Sequence, residues 1–185
     1  MKKYLITSRE FYTDTPAVFR SILHEQLKIH LPDFALYRDK TNPSYKEQAH
    51  HFVEVCQQFE SINSFIHRDF ILAKELGASG VHLTSKSFDD IQKAKDLGLK
   101  VIVSTHTYEE VERAEKLGAD FVTYSPIFTS PNKGEPKGIK DLINLVQKTT
   151  IKVFALGGIV SEVEVNAIKE SGVFGFASIR YFYDE

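Results

Sequence analysis

The chain has 185 residues, 42% apolar and 26% charged, with a formal net charge of −2. These values suit one soluble globular domain over residues 1–185 and exclude disorder, collagen and coiled coil as descriptions of the whole. The near-neutral balance argues against a general nucleic-acid binder, and a lone cysteine, Cys56, excludes a disulfide scaffold or a Cys-based zinc site within one chain.

The opening segment, Met1 to Thr7, carries two lysines but little apolar sequence. A signal-peptide core needs about 7–15 apolar residues, and no run approaches the roughly 18 that span a bilayer. The expectation is a cytoplasmic protein with no membrane partner. In chain order, strands are expected at 3–8, 33–38, 63–67, 79–84, 100–104, 120–125, 152–156 and 174–179. Three related segments, Ala73 to Gly77, Ala94 to Gly98 and Ala114 to Gly118, each close a helical pattern ahead of an apolar run. Their glycines suit the left-handed position just past a helix end, and a weaker copy ends at Gly172. Thr107 with Glu110, and Ser161 with Glu164, fit the capping box that satisfies donors at a helix start. Ile139, Leu142, Ile143 and Val146 form a helical apolar stripe. His24, His30, His50, His51 and Cys56 carry no signal beyond a surface reading.

The repeat of about 20 residues suits one strand plus one helix, and that alternation implies a parallel sheet with helices outside. Eight strands point to a (β/α)8 TIM barrel. The alternative, an open doubly wound sheet, lacks any Gly-x-Gly-x-x-Gly after a strand. The chain is short for a barrel, which usually takes about 200–400 residues. Only Arg180 to Glu185 follow the last strand, so the eighth helix is expected to be truncated or missing. The outer face of that strand then needs another cover, such as a partner subunit. Tyr181, Phe182 and Tyr183 would suit the interface of a homo-oligomer.

Barrel chemistry sits at the C-terminal ends of the strands. Arg38, Lys40, Arg68, Lys133 and Arg180 fall there and could face one anion. Side-chain alternation puts Gly80, His82 and Thr84 on the inward face of strand four, and Arg38 and Lys40 on one face of strand two. Gly157-Gly158, ahead of the Ser161 cap, could let backbone N–H groups approach a phosphate, or could simply make a turn. His82 is a general acid/base candidate or a hydrogen-bonded core histidine. The stretch Thr129 to Gly138 reads as a surface loop or as a cover over a phosphate ligand. The physical inference is a small phosphorylated ligand.

Leu36 to Lys40, Gly77 to Leu83, Val103 to Glu110, Gly118 to Val122, Ser125 to Ser130 and Ala155 to Ile159, in that order and spacing, resemble the thiamin-phosphate synthase / TenI superfamily. The resemblance covers nearly the whole chain and implies a TIM barrel acting on the thiazole or pyrimidine half of thiamin. In the synthase, a hydroxymethylpyrimidine pyrophosphate loses pyrophosphate, and the nitrogen of a thiazole phosphate captures the resulting cation. Magnesium, held by two aspartates, bridges the leaving group. By position, Arg38, Lys40, Ser104 and Lys133 match pyrophosphate-site residues, Gly157-Gly158 match the thiazole-phosphate turn, and His82 matches a histidine near the pyrimidine. The catalytic candidates are thus His82, Ser104 and Lys133. The phosphate- and substrate-binding candidates are Arg38, Lys40, His67, Arg68, Ser130, Asn132, Gly157, Gly158 and Arg180.

The departures from the family pattern are specific. Its Asn-Asp after strand three is His67-Arg68, and the second magnesium aspartate falls on Ser87. Its glutamine before the Arg-x-Lys pair is Leu36, its Thr-x-Thr is Ser130-Pro131-Asn132, and its serine after strand eight is Arg180. TenI-type tautomerases use a histidine where Pro126 stands, so His67, His82 or His106 would have to move protons instead. The expectation is a TenI-like protein binding a phosphorylated thiazole or pyrimidine, with no certain cofactor and no magnesium-dependent synthase activity. Two alternatives stay open: an active synthase with Arg68 replacing the metal charge, and a non-catalytic phosphate-ligand binder or regulator.

Overall fold

The computed structural model describes residues 1–183. Eight strands, β1 (Lys2–Ile6), β2 (Phe34–Tyr37), β3 (Asn63–His67), β4 (Gly80–Leu83), β5 (Lys100–Thr105), β6 (Phe121–Tyr124), β7 (Lys152–Leu156) and β8 (Gly175–Ser178), pair in parallel and close into a barrel in chain order. The TIM-barrel expectation holds, and the observed strands lie within the runs read from sequence except at the edges of β1 and β5. Two helices, α1 (Arg9–Tyr12) and α2 (Pro16–His30), fill the first crossover. Single helices fill the next six: α3 (Tyr45–Cys56), α4 (Phe70–Glu75), α5 (Asp90–Asp96), α6 (Tyr108–Lys116), α7 (Gly138–Lys148) and α8 (Glu162–Ile168).

Alternation along the strands creates two apolar layers. Inside the barrel pack Tyr4, Ile6, Phe34, Leu36, Phe65, Ile102, Phe121, Phe154 and Ala177. This filling is rich in aromatic rings, and glycine makes room for them. A Cβ on Gly80 would lie 2.6 Å from the Phe65 ring and 2.2 Å from the Lys100 carbonyl oxygen. One on Gly175 would lie 2.8 Å from the Phe154 ring and 2.4 Å from the Lys2 carbonyl oxygen. The outer layer joins the opposite strand faces to the helices, through residues such as Leu5, Val81, Val101, Val122 and Val153.

Ser161 and Glu164 form the full capping box. At α6, Thr107 accepts from the Glu110 backbone at 3.2 Å, but the Glu110 carboxylate takes the backbone N–H of His106 at 2.5 Å, one residue earlier than the motif requires. Cys56 is a core residue rather than a surface one; burial pushes its thiol pKa up.

After β8 there is a single 3-10 turn, Arg180–Phe182, and no α-helix follows β8 among the described residues; Asp184 and Glu185 lie outside them. The tail itself packs on β8. Phe182 is fully buried, stacked 5.7 Å from Phe176 of β8 and edge-on to His30 of α2 at 5.4 Å. Tyr183 packs on Phe11 and Tyr12. Tyr181 and Tyr183 are only half-buried, so of the three aromatics Phe182 alone is taken up wholly by its own chain.

Candidate functional site

Arg38 and Lys40 lie just beyond the end of β2 rather than within it. The Arg38 backbone N–H donates to Thr7 Oγ1 at 3.1 Å, which fixes the exit from the strand. Its guanidinium is half-buried, and that burial lowers its pKa. The Lys40 ammonium pKa is lowered by the positive charge of Arg38, then by desolvation, Lys133 and Arg68. These four cations therefore share one region of the mouth. None of them is in a salt bridge among the described residues. Uncompensated like charges held close together repel, and an anion between them relieves that repulsion.

Arg68 follows β3 with φ of 69°, the left-handed region that side chains seldom adopt. Its backbone N–H donates to the His82 carbonyl at 2.9 Å, so the conformation is held by the neighbouring strand while the side chain is exposed. His67, before it, is buried and pairs in register with His82. Burial first, then Arg38, Arg68 and Lys40, bring the His67 pKa down to about 3. Its ring makes no hydrogen bond among the described residues, which leaves a neutral imidazole beside the cationic cluster.

His82 is inward-facing, as its parity predicted, and both ring nitrogens are engaged. Nδ1 lies 2.7 Å from the Tyr4 hydroxyl and Nε2 lies 2.9 Å from Ser104 Oγ. The Tyr4 hydroxyl is fully buried and has no other partner, so it donates to Nδ1. The His82 proton then sits on Nε2 and points at Ser104, whose own O–H is left to donate into the mouth. Burial first, then the charges of His67 and Arg38, lower the His82 pKa to about 3, so the ring is neutral near pH 7. It acts here as an orienting group rather than a free acid. The sequence reading missed Tyr4; the available signal was that Tyr4 and Ile6 share the inward face of β1.

The loop 129–137 after β6 carries Ser130, Asn132 and Lys133. Ser130 Oγ donates to the Phe128 carbonyl at 3.4 Å, Asn132 has φ of 59°, and Lys133 is exposed. Gly157 and Gly158 both have positive φ, of 101° and 70°. Their glycine identity has an internal reason: a Cβ would lie 2.7 Å from Pro126 Cα at Gly157 and 2.6 Å from the Thr129 carbonyl oxygen at Gly158. Ser178 Oγ donates to the Ile159 carbonyl at 2.6 Å and takes the Tyr181 backbone N–H at 3.2 Å. These bonds hold the backbone around Arg180 near Ile159, and the Arg180 side chain is exposed after β8. Arg38, Arg68 and Lys133 are the charges that act on Lys40. His106 is exposed and reaches Ser125 Oγ at 3.3 Å and the Ser125 carbonyl at 3.2 Å.

The two positions that would supply carboxylates to the magnesium implied by the sequence resemblance hold Arg68 and Ser87. Among the described residues no cluster of three His, Cys, Asp or Glu side chains could hold a metal ion. Ser87 bonds its neighbour Thr84 at 3.2 Å and brings no carboxylate. No helix is long and apolar enough to cross a membrane among the described residues.

The family model described as "Thiamine monophosphate synthase" (TMP-TENI) matches residues 3–182. A thiamine-phosphate synthase of Nitrosococcus oceani is 33% identical over 151 residues, covering 77% of this chain and 68% of that protein. One from Listeria welshimeri is 29% identical over 171 residues, covering 86% and 81%. The chain spans from 51% to 81% of the length of the curated relatives it matches. Among solved structures, a thiamine phosphate pyrophosphorylase from Pyrococcus furiosus superposes with a TM-score of 0.82 at 25% identity, covering 96% of this chain and 85% of that one.

Proposed function

We propose that this chain, which belongs to the thiamine monophosphate synthase family, is a TenI-like member that binds a phosphorylated thiazole or pyrimidine in its barrel mouth. The observation that carries the reading is the cluster of Arg38, Lys40, Arg68 and Lys133, four cations with no carboxylate of their own. Arg38, Lys40 and Lys133 take the phosphate charge, and Ser104, oriented by His82, adds a neutral donor. Gly157, Gly158 and Arg180 take a second phosphate at the ends of β7 and β8, beside the loop that carries Ser130 and Asn132. His67 is a buried imidazole beside the cluster that is both neutral and unengaged, and it can donate a hydrogen bond to a ligand there or accept one from it.

The names of the relatives favour a second reading, an active synthase that displaces pyrophosphate. One experiment separates the two. Purified protein is given hydroxymethylpyrimidine pyrophosphate and thiazole phosphate, in magnesium and in EDTA, and thiazole phosphate binding is measured by calorimetry in parallel. The TenI-like reading expects thiazole phosphate to bind and no thiamin phosphate to form. Product in magnesium alone would overturn it and restore a metal-dependent synthase. Product under both conditions would support the synthase with Arg68 in the metal's place, and absence of binding would remove both readings.

A further inference from the structure

We infer that the mouth is a metal-free pyrophosphate clamp, in which the Arg68 guanidinium occupies the electrostatic role that a carboxylate-held divalent cation plays elsewhere in the family. The inference rests on the reading that the mouth binds phosphorylated ligands, and it adds how that charge is balanced. Losing one metal ligand would not suffice, since neighbouring carboxylates could be recruited. The neighbouring carboxylates are already committed. Asp39, between Arg38 and Lys40, is buried and held by both arms of Arg9, at 3.0 and 2.9 Å, with the Thr41 backbone N–H at 3.2 Å. Asp69, directly after Arg68, caps α4 by accepting from the Leu72 backbone at 2.8 Å. Freeing either would leave Arg9 without its partner or the first turn of α4 without its cap.

The position of Arg68 is specific. Its left-handed backbone is tied to the His82 carbonyl, so its Cα is fixed where β3 meets β4. Its planar fork of donors suits two oxygens of one phosphoryl group. The side chain is exposed at the mouth, and its charge acts on both Lys40 and His67. With Arg38, Lys40 and Lys133 it provides four positive charges, enough to balance a pyrophosphate without a metal. A divalent cation entering there would meet four like charges and no free carboxylate from Asp39 or Asp69.

The test is calorimetric titration of the full chain with inorganic pyrophosphate, first in EDTA and then in millimolar magnesium. Binding is expected in EDTA, and magnesium is expected to weaken it by sequestering the free anion. Arg68→Gly should weaken binding tenfold or more; glycine accepts the φ of 69°, so the fold is kept. Pyrophosphate binding that requires magnesium, or an unchanged affinity in Arg68→Gly, would overturn the clamp. Thiazole phosphate is titrated alongside. If it binds while pyrophosphate in EDTA does not, the clamp fails and the proposed function stands. If neither binds, both fail.

Discussion

His82 is held neutral in the native state and takes up a proton when the chain unfolds. Its folded pKa of about 3 lies below the ordinary histidine value of 6.5, so the unfolded state binds the additional proton between those limits. Stability from this group is therefore complete above pH 6.5 and is lost as pH falls toward 3. Each such histidine contributes a slope of about 1.4 kcal/mol per pH unit inside that window. His67, also lowered to about 3, adds a second proton. Denaturant unfolding of wild type and His82→Gln between pH 6.5 and 4 should show the variant losing one proton's worth of slope. An equal slope in both would mean that His82 is protonated in the native state. Sequence alone put His82 on the inward face by alternation. It could not show the two hydrogen bonds that make His82 an orienting group, because Tyr4, His82 and Ser104 come from β1, β4 and β5 and meet only when the barrel closes. The same holds for Asp39 and Asp69. As residues they look available to a metal, and only the contacts with Arg9 and the first turn of α4 show that they are committed.

The elements themselves were legible because each carries its own punctuation. Gly77, Gly98, Gly118 and Gly172 all adopt the left-handed conformation, ending helical segments as their spacing suggested. Gly80 was invisible by the same logic, since it sits inside a strand and its reason lies across the barrel. There the Lys100 backbone and the Phe65 ring occupy the space that a side chain would need. Gly80→Ala forces β4 away from β5 or displaces a packed ring, and overpacking of this kind costs about 1–3 kcal/mol or more. Thermal melts should show that loss with no compensating gain; an unchanged melting temperature would mean that the β4–β5 pairing yields easily. Gly98→Ala is the contrast: whereas Gly80 has crowding without a positive φ, Gly98 has a φ of 78° and nothing within 4 Å of the added carbon. It should cost only the left-handed strain, about 1–2 kcal/mol. The missing helix after β8 was likewise legible from the short tail, but its replacement was not. Phe182 finds Phe176 and His30 through tertiary packing that no local periodicity encodes.

Across the whole molecule, a net charge of −2 conceals a positively charged mouth. The barrel divides that charge between two sides. Arg38, Arg68 and Lys133, from the ends of β2 and β3 and the loop after β6, act on Lys40, while Arg180 follows β8, where Ser178 bonds Ile159 just past the glycine turn. Such a division suits two anionic groups that must be told apart, because each side then answers to its own ligand. Arg180→Ala should accordingly weaken thiazole phosphate binding tenfold or more, the equivalent of losing one charge-assisted hydrogen bond of about 1.5–3 kcal/mol. The same variant should leave pyrophosphate affinity within twofold of wild type, since Arg180 comes from the end of β8 and the four-cation cluster from β2, β3 and the loop after β6. Arg38→Ala should show the reverse preference. Calorimetric titration of both variants with both ligands distinguishes the divided mouth from a single diffuse basic patch. In a diffuse patch, removal of either arginine would weaken both ligands by a similar factor, and added salt would erase the difference.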